Sequence, residues 1–307
     1  MSDRRADLSI AVPFVIFTFI WGTTWIVIRD QLGTVPAQWS ITYRFAIAAV
    51  AMAALAKWKG ESLRLPMGGF AAAAALGFFQ FVVNFNAVYM AEHHITSGLV
   101  ATVFALLLIP NSLLAWGFLG QRPTSRFVWS SLVAIAGIAM LFAHELRQDP
   151  ARSGEVLFGI GLTLAGMLGA SVANVFQARE EVKRYPLFAL LTWAMAIGAM
   201  LDGVIAFAVS GPPVIEGRLG YWLGLSYLAL FASALAFSLY LPVVRKIGPG
   251  KAAYSSAIVP IIAMGFSSWL EDYRWNALTI TGAILAIGGM VAALSRSKST
   301  IAAPDAG

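Results

Sequence analysis

The side chains that could do chemistry in this 307-residue chain are polar groups set inside long apolar runs. Gln80 and Asn84 stand four apart, with Phe79 beside them and Asn86 close behind. Ser171 and Asn174 stand three apart, after a glycine series at Gly159, Gly161, Gly166 and Gly169. Trp21, Thr24 and Trp25 are spaced to share one helix face. Ser226, Ser233, Phe237 and Tyr240 follow another stripe, with gaps of 7, 4 and 3 residues. A side-chain amide both donates and accepts, which suits the ammonium and the carboxylate of a zwitterion. Each group also has a plainer use. Amides and hydroxyls join helices in lipid, glycines let them approach, tryptophans anchor at the interface, and a serine–aromatic stripe packs.

Arg44 is the only basic residue well inside an apolar run, and Asp202 the only carboxylate. Charges at such depth are functional candidates by default, and bonding to nearby carbonyls is the structural alternative. The chain has no cysteine, which excludes disulfides, thiol catalysis and cysteine–metal sites. His93, His94 and His144 fall near expected helix ends rather than in a ligand cluster. No H-E-x-x-H, no G-x-S-x-G and no embedded carboxylate pair occurs. The expectation is a protein that is no enzyme and holds no metal or cofactor.

The elements that must position these groups follow from composition. The chain is 59% hydrophobic and 12% charged, about half the charged share of a soluble domain, with mean hydropathy +0.76. A bilayer core of about 30 Å takes roughly 20 apolar residues per helix. Ten stretches fit, at 10–28, 37–56, 68–90, 95–118, 126–143, 155–178, 186–209, 219–241, 251–270 and 276–294. Runs such as AAAAALGFF are apolar all round, unlike the period-two alternation of a membrane barrel. The breaks KWKGESLR, HELRQDPARSGE and REEVKRYP are short and polar. Residues 1–9 are charged and the first run lacks an A-x-A site, so it reads as a retained helix rather than a signal peptide.

Lys and Arg bias sets orientation. With the N-terminus inside, fifteen of the 21 basic residues fall on the cytoplasmic side and only Arg29, Arg147, Arg152, Arg218 and Arg274 on the other. Both termini are therefore expected in the cytoplasm. The same distribution explains the +6 net charge as a topology signal, without nucleic acid.

Landmarks recur at offsets of about 150 residues. Pro36 matches Pro186, Pro110 matches Pro260, and LVAIAGIAMLF matches AILAIGGMVAAL with Gly137 against Gly289. Two five-span halves follow: a first repeat over 1–143, a connection over 144–154 and a second repeat over 155–307. An odd number of spans inverts the second half, which is the plan of secondary transporters with a site near the midplane. Pro110 and Pro260 must kink their helices, and their matched positions make them candidate hinges.

Ten spans in two five-helix repeats, WGTTW at 21–25, and Pro36 followed by Arg44 resemble the drug/metabolite transporter superfamily of EamA type, over essentially the whole chain. The nearest resemblance is to bacterial inner-membrane aromatic amino-acid exporters. One departure is Gln121, where the family carries an acidic residue after Leu-Gly. The resemblance implies an all-α inner-membrane protein with a cavity between helices 1, 3, 4, 6, 8 and 9, and leaves helices 2 and 7 at the periphery. Mid-span residues on those six helices then become the candidate substrate contacts: Trp21, Thr24, Trp25, Phe79, Gln80, Asn84, Phe104, Ser171, Asn174, Ser233, Phe237 and Tyr254. None of the six carries Asp, Glu or Lys at mid-depth. Small multidrug pumps of the superfamily use an embedded glutamate to exchange protons for cationic drugs, and the first span here has none. A neutral or zwitterionic solute fits, with aromatic or hydrophobic amino acids first and purines or amphipathic drugs as alternatives. Expected partners are that solute and the bilayer, with the chain a monomer or weak oligomer. A channel would want a filter, and a sensor a soluble output domain. Coupling stays open between facilitated diffusion, exchange, protons and sodium.

Overall fold

A computed structural model describes residues 2–148, 153–247, 252 and 255–294. Among them there is no strand. The helices are α1 (Ser2–Gln31), α2 (Ala37–Trp58), α3 (Met67–Ala91), α4 (Ser97–Leu119) and α5 (Ser125–Gln148). A second set follows: α6 (Ser153–Gln177), α7 (Leu187–Ser210), α8 (Leu219–Lys246), α9 (Ser255–Leu270) and α10 (Ala277–Leu294). Helices dominate because each satisfies its own backbone in hydrocarbon. Eight are long and apolar enough to cross a membrane, and the described parts of α9 and α10 are shorter apolar helices.

The helices outrun the apolar stretches. α1 begins at Ser2 rather than near residue 10, and α5 runs to Gln148, well into the polar break. Hydropathy finds only the part dissolved in lipid, whereas hydrogen bonding continues into the headgroup layer. Part of 144–154 lies outside the described residues. The break after α6 contains a single helical turn, Glu180–Lys183.

Helix ends follow local chemistry. Pro36 and Pro186 both stand as N-caps, opening α2 and α7. Gly120 stops α4 at φ 69°, and its amide returns to the Trp116 carbonyl while that of Gln121 returns to Ala115, an αL closure that needs a left-handed residue.

Packing repeats between the halves. α2 lies on α7 and α5 on α10. α1 packs on α9, as α6 packs on α4; α3 packs on α6, as α8 packs on α1. The α5–α10 seam shows the symmetry atom by atom. A Cβ built on Gly137 would lie 2.4 Å from the Ala286 nitrogen and 2.5 Å from the Gly282 oxygen. A Cβ on Gly289 would lie 2.6 Å from the Ala134 nitrogen and 2.7 Å from the Ser130 oxygen. Gly137 and Gly289, Ala134 and Ala286, Ser130 and Gly282 are each 152 residues apart. Contact i-to-j is thus matched by j-to-i, the signature of a two-fold interface.

Regular helix also fails in matched places. Gly77–Val83 of α3 and Leu228–Leu235 of α8 are π-helical, again about 150 residues apart. In α4, Ala105–Leu107 is 3-10, the turn before Pro110, whose missing N–H leaves the Leu106 carbonyl without its helical donor.

The α5–α10 seam allows a direct test. Gly137→Val should cost about 1–3 kcal/mol as overpacking, read as a lower Tm of the detergent-solubilised protein. Gly161→Val, where the added Cβ meets nothing within 4 Å, should leave the Tm nearly unchanged.

Candidate functional site

The π segment of α3, through Gln80, and the 3-10 turn of α4, through Ala105 and Leu107, border a cavity of about 120 Å³, and the π segment of α8 ends just before Phe237 on the same wall. Its wall includes Trp21, Thr24, Trp25 and Ile28 of α1, Gln80, Asn84, Phe85 and Val88 of α3, and Ala101, Phe104, Ala105 and Leu107 of α4. α6 adds Ala170 and Asn174, α8 adds Phe237 and Tyr240, and α9 adds Ser255 and Val259. The last member is Arg44 of α2. A smaller recess shares Gln80, Asn174 and Phe237 and continues to Gln177 and Leu241.

The irregular turns free carbonyls, and side chains take them. The Trp21 indole N–H donates to the Ala232 carbonyl at 3.1 Å, tying α1 to the π segment of α8. Ser233 donates to the Leu228 carbonyl, five residues back, at 2.9 Å. Asn84 and Asn86 donate to the Gln80 and Val82 carbonyls at 3.3 and 2.9 Å. Helix α6 fits against this part of α3 through glycine: a Cβ on Gly169 would meet the Phe79 carbonyl at 2.9 Å, and one on Gly166 the Asn84 carbonyl at 3.0 Å.

Arg44 gives the site its charge. It is buried, its Nε donates to Ser233 Oγ at 3.0 Å and Nη1 to the Tyr89 hydroxyl at 3.4 Å. Its guanidinium lies 4.5 Å from the Phe85 ring centroid. Among the described residues no carboxylate forms an ion pair with it. Asp202 is engaged elsewhere, accepting from Asn86 Nδ2 at 2.6 Å. The two intramembrane charges therefore do not pair, and Arg44 presents an uncompensated cation to the cavity.

Other polarity is sparse. Among the described residues the buried oxygen of Asn84 and the indole N–H of Trp25 have no hydrogen-bond partner. Thr24 donates to the Ile20 carbonyl at 2.8 Å, so toward the cavity its hydroxyl can only accept. The remainder is aromatic: Trp25 on Phe104 at 5.5 Å, and Trp21 on Tyr240 at 4.8 Å and on Phe237 at 5.6 Å between centroids. A cation, a few donors and acceptors and an aromatic wall can hold a small solute that is anionic at one point and apolar at another.

Two stretches of the chain, 9–143 and 157–295, match the EamA-like transporter family. The chain belongs to that family. It is a membrane transporter, and its relatives agree in length. The Escherichia coli K12 inner membrane transporter YedA is 27% identical, with 85% of this chain and 84% of YedA aligned. PagO of Salmonella typhimurium is 23% identical over 91% of this chain and 90% of its own length. A probable terminal-alkyne amino-acid exporter of Streptantibioticus cattleyicolor is 25% identical over 92% of this chain and 93% of its own. One crystal structure of a protein 19% identical superposes with a TM-score of 0.68, covering 92% of this chain and 95% of that one, so the fold is shared.

Of the sequence-derived candidates in this EamA-type chain, Trp21, Thr24, Trp25, Gln80, Asn84, Phe104, Asn174 and Phe237 come together on the cavity wall. Phe79, Ser171 and Ser233 are not among the lining residues. Phe79 packs on Phe78, and Ser171 is fully buried in α6. Ser233 sits one shell back, accepting from Arg44. Tyr254 lies outside the described residues. The main difference is α2. The resemblance leaves it peripheral, yet a long side chain carries Arg44 from it into the cavity, and a lone arginine inside a span was the available signal. Tyr240 was visible as the last member of the α8 stripe. Phe85, Val88 and Ile28 are apolar residues in apolar helices, and nothing distinguished them.

Trp21 and Trp25 separate structural from open polarity. Trp21→Phe strands the Ala232 carbonyl and should cost about 1–3 kcal/mol. Trp25→Phe removes an unpartnered N–H and should cost less. Thermal unfolding of the two variants in one detergent reads the difference.

Proposed function

We propose that the protein exports hydrophobic, chiefly aromatic, amino acids through this cavity by alternating access, from a bacterial inner membrane with both termini in the cytoplasm. The observation that carries the reading is Arg44, a buried guanidinium in the wall that no carboxylate pairs with among the described residues. A planar guanidinium pairs with a carboxylate by parallel hydrogen bonds. The substrate supplies the missing anion, Asn84 Oδ1 and Thr24 Oγ1 are acceptors for its ammonium, and Trp21, Trp25 and Phe104 receive its side chain. An engineered cavity of about 150 Å³ takes up benzene, so the volume here suits one ring or a branched aliphatic group rather than a large drug. The similarity to a probable amino-acid exporter supports the same class.

The repeats, 1–143 and 155–307 about the 144–154 connection, supply the moving parts. Pro110 and Pro260 serve as the matched hinges, with the 3-10 turn before Pro110 already on the cavity wall.

Reconstitution in liposomes tests the reading. Phenylalanine and leucine should show saturable flux stimulated by counter-solute. Arg44→Gln should raise the apparent KM about 10- to 100-fold, the loss of a charged hydrogen bond worth about 1.5–3 kcal/mol. Phenylalaninamide, which lacks the carboxylate, should not distinguish the variant from the parent. Transport of cationic drugs with no amino-acid flux would sink the assignment.

A further inference from the structure

The binding chemistry above leaves two buried carboxylates unused: Asp202, which accepts from Asn86, and Glu92. Glu92 caps α3, is 0% exposed, and among the described residues neither of its carboxylate oxygens has a hydrogen-bond partner. A buried ionised carboxylate without partners is strongly disfavoured, and in practice such a group neutralises.

Four helix ends meet around it. Arg29, in the last turn of α1, donates Nη1 to the Glu92 main-chain carbonyl, not to its carboxylate. Arg29 Nε faces Glu271, just past α9, at 3.6 Å. Glu271 also accepts from the Ser97 amide at 3.2 Å and the Ser97 hydroxyl at 2.5 Å, at the start of α4. The cation of the cluster is thus spent on one carboxylate while a second stays buried beside it. The other charged or titratable groups that act on Glu92 or flank it are Arg44 of α2, Tyr89 of α3, and His93 and His94 on its own connection.

This cluster roofs the cavity. Ile28 directly precedes Arg29, Val88 lies one turn before Glu92, and both line the cavity wall. The roof is tight: a Cβ on Gly98 would stand 2.6 Å from Met264 Sδ and 2.8 Å from Ser267 Cβ, so α4 and α9 touch there as closely as glycine allows.

We propose that Glu92 is a proton-binding site that couples closure of this end of the cavity to protonation. With the end open, a proton from water on that face bonds to a Glu92 carboxylate oxygen, and the neutral carboxyl can be buried as the helix ends converge. Loss of that proton into the cavity below recreates an unpaired charge beside Glu271, which drives the ends apart. One proton then crosses with each cycle, which makes the carrier proton-coupled. Burial first, and the neighbouring Glu271 charge second, push the Glu92 carboxyl well above the usual carboxylate range, against the pull of Arg29 and Arg44. His93 is held below its usual range by burial, Arg29 and His94, so it adds no cation at neutral pH. The closed form binds more protons than the open one, so acid favours closure and rising pH favours opening.

The absence of cysteine allows a test that needs no transported substrate, so it stands or falls apart from the amino-acid reading. Ile28→Cys reports access to the cavity roof, and Thr34→Cys, at an exposed position on the α1–α2 connection, serves as reference. A membrane-impermeant methanethiosulfonate is applied to vesicles from the face that labels Thr34→Cys. The ratio of the two labelling rates corrects for ionisation of the thiol. From about pH 5.5 to about pH 8.5 the ratio should rise about tenfold, the population change given by one unit of pKa difference between the two forms. In a Glu92→Gln background it should stay low and flat, and Glu92→Asp should restore the rise. A flat ratio with Glu92 present, or an unchanged rise in Glu92→Gln, would overturn the proposal.

Discussion

Everything in this fold turns on one conflict: lipid forbids a bare backbone carbonyl, yet a cavity through a helix bundle needs places where regular helix gives way. An unsatisfied group in hydrocarbon costs several kcal/mol. The solution is local substitution. α3 and α8 widen into π turns, α4 tightens into a 3-10 turn, and the freed carbonyls are taken by side chains such as Trp21, Asn84, Asn86 and Ser233. Two of these segments reach the cavity wall, the π turns of α3 through Gln80 and the 3-10 turn of α4 through Ala105 and Leu107. Trp21 shows the economy of the arrangement, since its N–H repairs α8 while its ring faces the cavity.

Symmetry decides where those turns can sit. A chain that folds the same five-helix pattern twice, inverted, places the π segment of α3 and its copy in α8 on opposite sides of a central axis. The α5–α10 seam marks the periphery of that plan, where backbones touch through glycine. Shape there is set by backbone atoms and not by adaptable side chains. The π segment of α3 lies at the other extreme, with Gly169 of α6 and Gly198 of α7 packed against it and Gln80 on the cavity wall.

Much of this was legible in the sequence. Apolar runs of about 20 residues, proline before α2 and α7, and the recurrence of Gly137 at Gly289 follow from rules that act along the chain. Eight of the twelve candidate contacts reach the cavity wall because a polar or aromatic side chain on the right face of a span is unusual in lipid. What was hidden depends on the third dimension. A π segment has no composition signal: GFFQFVV and LALFASAL read as ordinary apolar helix. Arg44 sits on a helix that the resemblance leaves at the periphery, and its side chain reaches the cavity wall. Glu92 falls in a short connection beside two histidines and reads as a solvated loop charge, whereas the convergence of α1, α4 and α9 over it leaves it 0% exposed.

Arg44 and Glu92 are opposite charges with a common cause. Each is fully enclosed, each is partnered by less than its charge requires, and Tyr89 lies between them in sequence and bonds to the first. Evolution of a stable bundle alone would remove both, since an apolar replacement of a buried ionic group is commonly neutral or stabilising. Direct pairing would satisfy both and would leave the cavity without a charge to offer. Held apart, the cation is free for the substrate carboxylate proposed above and the anion for the proposed proton. The two vacancies then answer different ligands at different depths: Arg44 in the cavity wall, Glu92 in the roof above it. A carrier needs such a separation, because a site that filled its own vacancies would be indifferent to whether the cavity is loaded or the roof is closed.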